Sequence, residues 1–127
     1  MGHDPFAVGE ALVRRYLASL PGHDLDGVLG CFAPDGVISS PTYGIQPAAT
    51  FYPGLFADSA LTEIIDPQVF RSTAGPREWI AAFDYRWQRV GQALVNTRLI
   101  DRFVLTADGS AIASLEIANI GPRPVAT

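Results

Sequence analysis

Apolar and polar positions along the chain fall into two regimes. Up to Tyr52 the apolar residues recur mainly at spacings of three and four, and beyond it they alternate. Asp4 followed by Pro5 predicts a helix start, with Leu12, Val13, Tyr16, Leu17 and Leu20 as the buried stripe until Pro21-Gly22 stops it. A shorter helix is predicted from His23-Asp24, with Asp24 as cap, Leu25, Val28, Leu29 and Phe32 facing the core, and the turn Pro34-Asp35-Gly36 as its end. Val37 to Ser40 reads as a short strand. Gly44 and Pro47 then open a third helical segment through Ala48, Phe51 and Tyr52, which Pro53-Gly54 must kink or cut short.

The remainder reads as strands. Leu61 to Ile65 and Val69 to Ser72 are short extended candidates separated by Asp66-Pro67, and Ala74-Gly75-Pro76 supplies a turn. From Trp79 to Trp87 the alternation gathers Trp79, Ala81, Phe83, Tyr85 and Trp87 on one face, opposite Ile80, Ala82, Asp84 and Arg86. A face this aromatic suits core, and it also suits the wall of a pocket for a flat apolar ligand. Gln88 to Gln92 makes a hairpin into a strand at Ala93 to Leu105, and Ala107-Asp108-Gly109 makes another into Ala111 to Asn119. The Gly121-Pro122-Arg123-Pro124 tail reads as irregular. Helices first and an antiparallel meander afterwards predict a single α+β domain over residues 1–127, its curved sheet wrapped around the helices with a cavity between them.

One ionisable residue interrupts the inward pattern. In the strand from Ala93, one face carries Ala93, Val95, Thr97, Leu99, Asp101, Phe103 and Leu105, and the other Leu94, Asn96, Arg98, Ile100, Arg102 and Val104. Asp101 is the acid on the apolar face. A buried carboxyl must pair, accept hydrogen bonds, or keep its proton because its pKa has risen.

Composition narrows the chemistry. With 48% hydrophobic and 17% charged residues, 127 residues can bury a core without disulfides or metals. All nine basic residues are arginine, so Schiff-base and P-loop lysine chemistry are excluded. The net charge of -4 argues against nucleic acid as a main partner. Cys31 is the only cysteine, which leaves no intramolecular disulfide and no thiolate zinc site. No apolar run is long enough for a membrane span, no signal-peptide pattern is present, and Phe6 stands where myristoylation prefers Ser or Thr, so a cytoplasmic protein is expected.

Three stretches carry a resemblance: Arg14 to Pro41 (RRYLASLPGHDLDGVLGCFAPDGVISSP), the G-x-x-P-A-A-x-F-Y run from Gly44 to Tyr52, and the I-D-R-F of Ile100 to Phe103. In their order and spacing the chain resembles ketosteroid isomerase and, more broadly, the nuclear transport factor 2-like, SnoaL-like superfamily of cone-shaped α+β domains. The resemblance implies that Tyr16 donates a hydrogen bond to a substrate carbonyl oxygen and that Asp101, protonated in an apolar site, donates a second, a mechanism that belongs to that family. It implies that Tyr52 holds Tyr16 in place. It also implies no cofactor, a small hydrophobic ligand such as a steroid-like or polyketide-like carbonyl compound, and a homodimer paired through the outer sheet faces. Phe51, Phe83, Tyr85, Trp87 and Phe103 are the candidate ligand-contacting aromatics.

The chain departs from the family at Ser40. There the isomerases carry an aspartate before a proline that shuttles the proton, and a serine hydroxyl is far too weak a base near neutral pH without activation. Glu116 is a candidate substitute: counting across the hairpin from Asp101 turns it inward, whereas the flanking Leu115 and Ile117 turn it outward. Asp84 reads as a surface or interface charge with Arg98 and Arg102 near it, and His3 and His23 as solvated. Asp58, Glu63 and Asp66 lie where a pocket mouth would be. Two further readings compete: a non-catalytic module of the same fold that binds a hydrophobic ligand or only dimerises, and an epoxide hydrolase or cyclase. The latter is disfavoured because Arg98 and Asp101, three apart, face opposite sides of a strand.

Overall fold

A computed structural model describes residues 4–123. Helix α1 (Pro5–Ser19) starts where the sequence predicts, with the Asp4 side chain accepting from Phe6 N at 2.9 Å and Pro5 in the first turn. It buries Leu12, Val13, Tyr16 and Leu17. Helix α2 (Leu25–Leu29) is capped by Asp24, which accepts from Gly27 N at 3.0 Å. Strand β1 (Phe32–Ser40) and strand β2 (Gly44–Pro47) follow, then helix α3 (Ala48–Asp58) and strands β3 (Ser59–Arg71), β4 (Glu78–Arg89), β5 (Leu94–Leu105) and β6 (Ile112–Pro122). They form one six-stranded sheet in the order β2-β1-β6-β5-β4-β3, antiparallel except for the β1–β6 pair. The fold is α+β, with the helices on the concave face of a curved, unclosed sheet.

Several boundaries differ from the sequence reading for local reasons. Pro34-Asp35-Gly36 does not end α2: it lies inside β1, in an irregularity between Phe32 and Val37 that lets both halves of the strand pair with β6. Phe32 is therefore a strand residue. Gly44–Pro47 is a strand paired with Val37 to Ser40 instead of the opening of a helix, and Gly44, at φ 77, makes the turn into it. Pro53 does not stop α3, which continues for five more residues while Phe51 and Tyr52 anchor its first half in the core. The two short strands expected around Asp66-Pro67 are one strand, β3, with Asp66 at φ 50 inside a bulge between Ile65 and Gln68. At the far end β6 runs on through Gly121 and Pro122.

The sheet's two faces separate as the alternation requires. Trp79, Ala81, Phe83 and Tyr85 of β4, Leu99, Asp101, Phe103 and Leu105 of β5, and Ile112 and Leu115 of β6 are buried toward the helices. On the convex face, Asp84 pairs with Arg98 at 3.1 Å, and Arg102 contacts Glu78 at 2.7 Å and Glu116 at 3.9 Å. His23 is not simply solvated: its Nε2 is 2.9 Å from Thr62 Oγ1 and its ring stacks on Phe56 at 5.0 Å, which holds it at a φ of 51. His3 lies outside the described residues. Among the described residues no helix is long and apolar enough to cross a membrane.

Candidate active site

Between the helices and the concave face lies a cavity of about 290 Å³. Tyr16 reaches it from the stripe of α1, Phe51 from α3, Phe83, Tyr85 and Trp87 from the aromatic face of β4, and Asp101 from the middle of β5. Two sequence periods meet here. The 3.6-residue period of α1 delivers Tyr16, and the two-residue period of β5 delivers Asp101 and Thr97, into a mainly apolar wall.

Asp101 is 2% exposed, and its Oδ1 has no hydrogen-bond partner in the described structure. Its register neighbours are Ala81 on β4 and Ile117 on β6, neither of which offers a charge. Burial is the cause of its altered acidity, raising the carboxyl from the ordinary 3.8 to about 8. At neutral pH it is a neutral acid with a proton to donate.

Tyr16 and Tyr52 share a hydrogen bond of 2.7 Å between their hydroxyls, and both rings are buried. Phe103 and Phe32 meet the Tyr16 ring edge-on, with centroids 5.3 and 5.8 Å away. Burial, reinforced by Tyr52 and Asp101 nearby, pushes the Tyr16 phenol well above its usual 10. Burial also raises Tyr52, against a lowering contribution from the Tyr16 hydrogen bond. Tyr85 is raised by burial too, with a hydrogen bond from Thr62 opposing. All three phenols therefore remain hydrogen-bond donors across the physiological range.

The remaining sequence candidates separate cleanly. Phe51, Phe83, Tyr85 and Trp87 line the cavity, as expected, but Phe103 does not: it sits behind Tyr16 as packing. Glu116 points away. It is exposed on the convex face, opposite Arg102 in the register, because Leu115 occupies the inward position beside Phe103. It therefore cannot act as the substitute base. Ser40 does line the cavity, and its Oγ accepts from Thr42 N at 3.1 Å and Tyr43 N at 3.2 Å. With its acceptor capacity committed to that turn, the hydroxyl is no base. Arg98, bound to Asp84 on the convex face, makes no pair with Asp101.

Of the acids that sequence reasoning put near a pocket mouth, Asp58 is there, but its partner Tyr43 was missed. Tyr43 lines the cavity from the turn after β1, with its hydroxyl donating to Asp58 Oδ2, and the same oxygen accepts from Arg89 Nε at 2.7 Å. Those contacts hold the Asp58 carboxyl below the usual carboxylate range, and burial with the Asp58 hydrogen bond pushes the Tyr43 phenol up to about 12. Asn119 and Thr97 add polar groups from β6 and β5. The inward face read for β5 already carries Thr97, and continuing the alternation of β6 past Leu115 would have found Asn119. Among the described residues no cluster of three or more His, Cys, Asp or Glu side chains could hold a metal ion.

No family model matches the chain, and no curated protein matches it in sequence. Solved structures do match. A protein from Silicibacter sp. tm1040 named as a polyketide cyclase superposes with a TM-score of 0.77 at 16% identity, over 90% of this chain and 90% of its own. A ketosteroid isomerase-like protein from Erwinia carotovora atroseptica gives 0.72 at 21% identity, over 95% and 100%. The BvnE pinacolase from Penicillium brevicompactum gives 0.75 at 9% identity, over 94% and 88%. The fold is the nuclear transport factor 2-like, SnoaL-like cone. At these identities the likeness establishes architecture, and the chemistry rests on the residues of the cavity.

Proposed function

We propose that the cavity is the active site of an isomerase- or cyclase-type general acid/base enzyme that acts on a small hydrophobic carbonyl compound without a cofactor. The observation that carries this reading is the buried, unpartnered carboxyl of Asp101 lining the same cavity as the Tyr16 hydroxyl. Leaving such a group unsatisfied is costly, and a ligand oxygen placed between the two donors would remove the cost. When a carbonyl becomes an enolate, its oxygen gains charge, and two fixed donors in a dry pocket stabilise that charge more than they stabilise the ketone. Tyr52 supports the arrangement by fixing the Tyr16 hydroxyl. The apolar wall of Phe51, Phe83, Tyr85 and Trp87 excludes water and holds the hydrocarbon body.

Ser40 limits the substrate. Asp101 is the only carboxyl among the described residues that line the cavity, so the strong carbon base of steroid isomerisation is missing. Suitable substrates are those already acidic at carbon, or those whose reaction begins by protonation. The test is turnover of a 5-ene-3-keto steroid before and after Ser40→Asp, with binding of a phenolic intermediate analogue measured alongside. The analogue should bind the wild type and bind Tyr16→Phe more weakly, and Ser40→Asp should raise turnover by about 10²-fold or more. Inactivity of both proteins with no analogue binding overturns the proposal. Analogue binding without turnover of any carbonyl compound favours the alternative of a ligand-binding module, which the committed Ser40 hydroxyl supports. We further propose a homodimer formed through the convex face, where Ile100 and Val104 lie among the Asp84–Arg98 and Glu78–Arg102 pairs; sedimentation of a monomer at micromolar concentration would refute it.

A further inference from the structure

Two polar groups on the cavity wall away from Tyr16 and Asp101, Ser40 and Asn119, share a property that their residue types alone do not reveal. Ser40 Oγ accepts two backbone N–H groups, from Thr42 and Tyr43, at 3.1 and 3.2 Å. Asn119 Oδ1 accepts from Gly121 N at 2.9 Å. The backbone donor fixes the carboxamide's orientation, since only its oxygen can accept that bond. What each side chain has left is a donor: the Ser40 O–H and the Asn119 Nδ2–H₂, neither with a partner among the described residues. Neighbouring Arg, Lys or His charges are absent from the described lining.

The register places these donors relative to the first pair. Asp101 lies opposite Ile117 on β6, and Ser39 lies opposite Glu116, so Ser40 falls beside Ile117 on the next strand over. Asp101 and Ser40 thus flank Ile117 from β5 and β1, with their backbones two strand spacings, about 9–10 Å, apart. Asn119 is one inward step further along β6, opposite Leu99. A ligand lying across Ile117 would meet donors at both ends.

We infer that Ser40 and Asn119 form a second oxygen-binding subsite, so that the cavity takes a neutral, flat dicarbonyl compound, one oxygen between Tyr16 and Asp101 and the other on Ser40 and Asn119. This inference rests on the active-site reading above and names its substrate class. Ser40 then has a positive role as a donor to the substrate's distal oxygen. The subsite selects acceptors: a carbonyl accepts from the half-buried Ser40 hydroxyl and from the Asn119 amide at the exposed rim, whereas an alkyl group of the same bulk makes neither bond.

The test uses a matched pair of fluorescent ligands, 6-acetyl-2-naphthol and 6-ethyl-2-naphthol, which share the phenol for the Tyr16–Asp101 end and differ in the distal acceptor. The wild type should bind the acetyl compound about 3- to 10-fold tighter, the range of one neutral hydrogen bond. In Asn119→Asp the Oδ1 bond to Gly121 survives while the donor becomes an acceptor, so the ratio should fall to one or below. Ser40→Ala should also lower it. An equal affinity of the wild type for the two ligands, or a preference that persists in Asn119→Asp and in Ser40→Ala, overturns the subsite. Tyr16→Phe should weaken both ligands equally. Binding of both ligands that is indifferent to Tyr16→Phe, or no binding of either, overturns the active-site reading and the subsite with it.

Discussion

The acidity of Asp101 can be measured through folding stability. Its carboxyl is raised by burial from 3.8 to about 8. Each unit of difference between folded and unfolded states corresponds to about 1.4 kcal/mol. Below the unfolded value both states hold the proton, and the stability contributed by the neutral acid is fully present. As pH rises the unfolded chain loses its proton first, so that contribution drains away through the interval and is gone above the folded value of about 8. Relative to a side chain that never ionises, the loss is roughly 4 kcal/mol at pH 7 and about 6 kcal/mol above pH 8. Asp101→Asn supplies that reference, since a carboxamide matches a protonated carboxyl in shape. The assay is urea unfolding of both proteins at half-unit steps from pH 5 to pH 9 at constant ionic strength, with stabilities extrapolated to zero denaturant. The wild type should lose ground to Asp101→Asn by about 1.4 kcal/mol per pH unit up to about pH 8 and then run parallel to it. Contributions from other titrating groups are common to both proteins and cancel in the difference. Stability curves that stay parallel from pH 5 to pH 8 would mean an ordinary, ionised carboxylate. An ionised Asp101 cannot donate to a ligand oxygen, so that result would refute the proposed oxyanion-binding pair as well.

Most of the fold and half of the site are legible in the sequence, and physical reasons divide the legible from the hidden. The inward faces of β4 and β5 follow from strict alternation, because one residue of slip would bury Arg86, Arg98 and Arg102. Asp101 stands out because it breaks an otherwise apolar face. Glu116 is instructive: counting across the hairpin turned it inward, but the register shift between Val104 and Leu105 invalidates the count, and the local Leu-Glu-Ile pattern gives its true side. Proline and glycine misled where they act within strands and helices. Pro34-Asp35-Gly36 reads as a turn yet forms an irregularity in β1, and Pro53 reads as a breaker yet stays inside α3. In both places tertiary burial, at Phe32 or at Phe51 and Tyr52, outweighs a local preference. Tyr43 was hidden for a different reason. Tyr43 gains its place from Asp58, 15 positions away, which is itself held by Arg89 31 positions further on, and no local pattern encodes a contact of that kind.

Two further outcomes are expected. Tyr52→Phe removes the partner of the Tyr16 hydroxyl inside the core, so it should cost about 1–3 kcal/mol in urea unfolding and weaken phenol binding, although Tyr52 itself does not line the cavity; unchanged ligand affinity would show that Tyr16 is held without it. Gly9→Ala tests how closely α1 approaches the sheet. A Cβ there would lie 2.6 Å from Trp79 Nε1, and that indole cannot easily retreat, because its N–H donates to the Pro76 carbonyl at 2.7 Å and β4 pairs on both sides. The helix must give way instead, at a cost of about 1–3 kcal/mol for overpacking, against a gain of about 1 kcal/mol from replacing glycine within a helix. Because Tyr16 lies two turns further along the same helix, the displacement should also reach its hydroxyl and lower phenol affinity. A variant more stable than the wild type, with binding intact, would mean that α1 rides higher on Trp79 than this packing requires.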